Sequence, residues 1–161
     1  MEEPSPAPME EPSPAPMEAI PHDMAPQEAA GPSEQPSADI EALREKSRKL
    51  YENYRRRGIK ASLKELEKLA QENPTLPEAA AFLGDIYYND GRIAKAYTWA
   101  RKAIEMDRKQ SLGWWVVGLV AYEAGRKSEY VEAFREYLRL SPDDENAQQI
   151  RQLKIRELSI P

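Results

Sequence analysis

From about Asp39 onward, apolar residues recur at helical spacing. Leu43, Leu50, Tyr51 and Tyr54 mark the first apolar face. Ser37 or Asp39 supplies a short side-chain oxygen to cap its free N–H groups. Arg55, Arg56 and Arg57 close it at the negative end of the helix dipole, and Gly58 follows as a left-handed stop. A second helix is predicted from about Lys60 to Glu72, with Leu63, Leu66, Leu69 and Ala70 on one face and Asn73-Pro74 as its end. Thr75 with Glu78 has the spacing of a capping box, which predicts a helix running to about Asn89. Gly91 is the turn residue after it. Further helices are predicted over 93–106, 112–124 and 127–140, with Gly125 ending the second of these. The run Ser141-Pro142-Asp143-Asp144-Glu145 reads as cap, proline and first-turn acids. It predicts a last helix reaching about Leu158, with Ala147, Ile150, Leu153 and Leu158 on one face.

The middle of the chain is also internally repeated. Residues 77–110 and 111–144 superpose as two copies of one unit of thirty-four residues. Gly84 falls on Gly118, Gly91 on Gly125, and Tyr88 on Tyr122. The two helices before Pro74 read as a third, degenerate unit. Repeats of this length stack on one another, because one unit alone cannot bury its apolar face.

These residues resemble the tetratricopeptide repeats. That family prefers an aromatic, then Leu-Gly, Tyr, Ala, Phe, Ala and Pro at fixed places. The second copy matches with Trp114, Val117-Gly118, Phe134 and Pro142; the first matches with Leu83-Gly84, Tyr87, Ala96 and Ala103. Departures are Ala80 for the aromatic, Tyr130 and Tyr137 for small Ala, and Arg108 for Pro. The resemblance implies an all-α chain: a right-handed α-solenoid of about three helix–turn–helix units and a C-terminal capping helix. Stacked units need such a cap, polar on its outer side.

Composition divides the chain. Residues 1–36 hold ten of the fourteen prolines, and MEEPSPAP occurs there twice in tandem. Residues 1–40 carry nine acids and no Lys or Arg. With −5 for the whole chain, residues 41–161 are left at about +4. Proline removes donors and like charges repel, so the expectation is a disordered arm over 1–36 and a helical domain over 37–161. The domain is too weakly basic to suggest a nucleic-acid binder.

Candidate chemistry is sparse. The chain has no Cys, and its one histidine, His22, lies in the proline-rich arm, so the common nucleophile–base pairs and thiolate metal sites are missing. No phosphate-binding glycine loop or zinc motif occurs. The acids at 143–145 lack the spacing and glycine of a calcium loop. No enzyme, cofactor or metal is expected. No apolar run is long enough to span a membrane, and the N-terminus lacks the pattern of a secretory signal, so the expectation is a cytoplasmic protein or the soluble part of an anchored one.

What remains is binding. The resemblance implies a concave groove lined by the first helix of each unit, taking a peptide or helix of a partner protein. The candidate lining residues are Arg48, Tyr51, Tyr54 and Arg55 in unit one, Phe82, Asp85 and Tyr88 in unit two, and Trp115, Leu119 and Tyr122 in unit three. The family's clamp for a terminal carboxylate is missing, because Ser47, Tyr51, Ala81 and Asp85 stand at its positions. Trp115 is expected to be exposed, since it lies about 100° around the helix from Trp114. Two alternatives remain open: self-association through Trp115 and Leu119, or a purely structural repeat with that face covered by the last helix.

Overall fold

Seven α-helices account for most of residues 38–158, the part of the chain that the computed structural model describes. They are α1 (Ala38–Arg57), α2 (Lys60–Glu72), α3 (Pro77–Asn89), α4 (Ile93–Met106), α5 (Ser111–Glu123), α6 (Lys127–Leu140) and α7 (Glu145–Gln152). A short 3-10 turn, Arg156–Leu158, follows. No strand occurs among the described residues. The proline-rich arm, its histidine and the Ser37 cap lie outside the described residues.

The helices pack as consecutive antiparallel pairs, α1 with α2, α3 with α4 and α5 with α6. The first helices of the pairs also pack on one another, α1 on α3 and α3 on α5. This is a helical solenoid of repeated pairs. Glycine makes the pair interface close. A Cβ on Gly84 would lie 3.1 Å from the Ala100 backbone N, and one on Gly118 would lie 2.4 Å from the Phe134 ring. Each glycine therefore lets its partner helix approach the bare backbone. Gly58, Gly91 and Gly125 have φ of 65°, 76° and 67°, and each turns the chain between the helices of a pair where a side chain would be strained.

One continuous core runs through the stack. Leu66, Leu83, Ile86, Tyr87, Val117, Phe134 and Ile150 are essentially removed from solvent. Burying each such side chain stabilises by about 1.5–3 kcal/mol relative to leaving it exposed. Trp114 is buried as well, and its indole N–H donates to the Arg108 carbonyl at 2.8 Å. That bond ties α5 to the loop from α4.

Two expected helix starts are corrected. No capping box forms at α3. Leu76 is its N-cap residue, without a side-chain cap bond, and Pro77 opens the helix. Glu78 turns instead to Arg44 of α1, 2.9 Å from its Nε. An ion pair between units has replaced a local cap. The start of α7 lies three residues later than the Ser-Pro signal suggests. Asp144 is its cap and accepts from the Ala147 N–H at 2.8 Å, while Ser141 closes α6. The end of α7 is corrected too. It stops at Gln152, Lys154 adopts a left-handed φ of 50°, and Leu153 is 37% exposed rather than on the inner face. Ala147 and Ile150 are buried, as expected of a terminal cap.

Candidate functional site

The first helices α1, α3 and α5 carry all ten residues expected to line the groove. At the junction of units one and two they form one cluster. The Tyr51 and Phe82 rings stack with centroids 4.5 Å apart and planes 17° apart. The Tyr51 hydroxyl donates to Asp85 at 2.7 Å. Asp85 is only 5% exposed, a burial that a carboxylate tolerates when it is hydrogen-bonded and near a cation. The cation is Arg55, whose Nε lies 3.8 Å away and whose side chain is half in water. One turn further along α1, Tyr54 donates to Asp90 at 2.6 Å. Beside that bond lies a shallow recess of about 240 Å³ between Arg55, Gly58 and Asn89.

At the junction of units two and three the motif recurs. Tyr88 donates to Glu123. On the second helices, Tyr97 of α4 donates to Glu129 of α6. These hydroxyls are held in their neutral form. Burial first, then the Asp85 charge and hydrogen bond, push Tyr51 above the ordinary tyrosine range. Burial and then the Glu123 bond push Tyr88 up to about 12. For Tyr54 the Asp90 bond comes first and burial second.

The third unit departs from expectation. Trp115 is 8% exposed, and its ring packs on Phe134 at 6.2 Å and Tyr137 at 5.6 Å. These two large residues of α6 reach across and cover it, Tyr137 from a position where a small Ala was expected. Trp115 is therefore core, and the exposed tryptophan anchor expected from its angle to Trp114 does not exist. Leu119 is half-buried. Tyr122 is 39% exposed and meets Tyr130 edge-on at 5.2 Å. Arg48 is exposed on α1, 3.4 Å from Glu45.

A close glycine contact inside the pair, a glycine turn and a partner unit stacked on each side now frame α3 and α4. Residues 77–110, which span both helices, match the tetratricopeptide repeat model. This segment is a tetratricopeptide repeat. No curated protein matches the chain. The small residues of this segment are among those that pack: Gly84 against Ala100, and Ala96 and Ala103 fully buried. The acceptor Asp90 is the one that the sequence reading misses. Its signal is the repeat itself: it lies 36 residues after the tyrosine that bonds to it, as Glu123 lies 35 after Tyr88.

Among the described residues, no group of three or more His, Asp or Glu is placed to hold a metal ion. None of the described helices is long and apolar enough to cross a membrane.

Proposed function

We propose that this domain is a protein-interaction module whose α1–α3–α5 face takes a peptide or helix of a partner protein. The tetratricopeptide repeat supports the broader part of that reading, since such a stack offers an extended face without catalytic machinery. The observation that carries the finer part is the junction of units one and two. There a half-exposed guanidinium, Arg55, sits beside an aromatic stack and a recess. Arginine and aromatic side chains together are the usual composition of energetic contact points. Arg48, Tyr54, Tyr88, Leu119 and Tyr122 extend the surface along the three helices. Trp115 contributes rigidity from beneath, not contact.

The burial of Trp115 favours a second reading for unit three alone, in which that unit serves as structural support. A photo-crosslinking side chain separates the two. Placed at position 48 and, separately, at 122, it should capture a partner protein from cells, and at Met106 on α4 it should not. Capture at 48 but not at 122 would assign unit three to support. Capture at 106 alone would remove the proposed face. A covalent dimer of this chain from position 122 would favour self-association.

A further inference from the structure

The last turn of the chain builds a second concave surface. Because Lys154 turns left-handed after α7, the segment that follows folds back, and its 3-10 turn packs on α6. Between α6, α7 and this segment lies an open cleft of about 760 Å³, within the size range of ligand and peptide sites. Leu138, Ile150, Ile155 and Leu158 form its apolar part.

Its rim is cationic on both sides. Arg135 and Arg139 stand one turn apart on α6, with Arg151 and Lys154 across from them. The Arg135 guanidinium donates to the Glu157 carbonyl at 3.2 Å, and that of Arg151 donates to the Pro142 carbonyl at 2.6 Å. Neutral acceptors satisfy these N–H groups but cancel no charge. Among the described residues only Arg139 has a carboxylate partner, Glu136 at 2.9 Å, in an exposed pair of the kind that contributes little. Among the described residues, the one acid in the lining, Glu157, is itself 2.5 Å from Lys127.

We infer that this cleft docks an acidic amphipathic segment of a partner protein, with leucine-like side chains on the floor and carboxylates toward both rims. Charge complementarity selects the occupant. Cations on both walls suit a segment with acids along two edges, whereas an amphiphile with a single anionic head would use one end only. The cleft shares no residue with the α1–α3–α5 face, so either surface can fail without the other.

The test uses the full chain and a fluorescein-labelled peptide of repeating Leu-Glu-Glu-Leu, read by fluorescence anisotropy. Two control peptides replace every Glu by Gln or every Leu by Ser. The acidic leucine peptide should bind, and each control should lose about tenfold or more. The double variant Arg139→Gln, Lys154→Gln should lose a similar factor with an unchanged melting temperature, because neither side chain is buried. Affinity should fall as salt shortens the screening length from about 10 Å at 0.1 M to about 3 Å at 1 M. Lys64→Glu, exposed on α2 and outside both surfaces, should change nothing. Equal binding of the Gln peptide, or full binding by the double variant, would overturn the inference. So would a dimer that the double variant abolishes, because the occupant would then be a second copy.

Discussion

The Tyr51 hydroxyl lies 2.7 Å from an Asp85 carboxylate oxygen, and the two residues are 34 positions apart, one full repeat. The bond therefore joins equivalent faces of consecutive units. Tyr51→Phe removes the one donor that, among the described residues, is hydrogen-bonded to that buried carboxylate, and leaves Arg55 at 3.8 Å. The expected cost is about 1–3 kcal/mol, that of a buried acceptor left unsatisfied. Urea unfolding would measure it. A cycle with Asp85→Asn should show strong coupling between the two sites, and additive effects would mean that the bond contributes nothing.

Alkaline pH should unfold the domain early. Tyr51, Tyr87, Tyr88 and Tyr137 are all raised, with burial the first cause in each, followed by the neighbouring acid's charge or hydrogen bond. A raised folded value means that the unfolded chain releases its phenolic protons first, at about pH 10. The stabilisation is thus complete below about pH 10 and is lost as pH climbs, through about 12 for Tyr88. Tyrosinate absorbance and circular dichroism, followed together, should change in one step. Ionisation at ordinary pH without loss of helix would contradict the burial.

Trp114→Ala and Trp115→Ala should both destabilise, each by about 3–5 kcal/mol if the site does not collapse. Trp114 also loses its bond to the Arg108 carbonyl. Thermal melting distinguishes this from the behaviour of a surface anchor, whose removal leaves stability intact.

Gly118→Ala should cost about 1–3 kcal/mol by overpacking, since its Cβ would meet the fully buried Phe134 ring at 2.4 Å. Adding Phe134→Leu should recover part of the loss. Gly84→Ala meets backbone and Cβ of Ala100 at 3.1–3.3 Å, so its cost should be smaller and harder to relieve by any side-chain change.

Helix positions and turns were legible because they follow from local rules. Gly58, Gly91 and Gly125 mark left-handed turns in the sequence and adopt them in the structure. The pairing was legible from the thirty-four-residue period. What was not legible depends on what arrives from elsewhere in the chain. Glu78 has the spacing of a cap residue, but Arg44 from another unit draws it away. Trp115 has the angle of a surface residue, but Phe134 and Tyr137 are large enough to cover it. The ten candidate site residues do gather on three packed helices, yet several spend their polar groups on one another. Asp144 caps α7 where Ser141 was expected to, because α6 runs on to Leu140 and takes Ser141 as its own end.

Four of the tyrosine–acid bonds between units point the same way. Tyr51, Tyr54, Tyr88 and Tyr97 each donate to an acid in the unit that follows, while Tyr87 donates back to Glu67 of the first unit, so the two sides of a junction differ. The units are consequently not interchangeable parts. Glu123, which receives from Tyr88, has Arg55 as its counterpart in the first unit. A rearranged chain with the third unit placed ahead of the first would set Tyr122 against that cation, with no acceptor to meet it. The order of the repeats is thereby written into their edges, as a sentence whose words carry case endings is bound in sense.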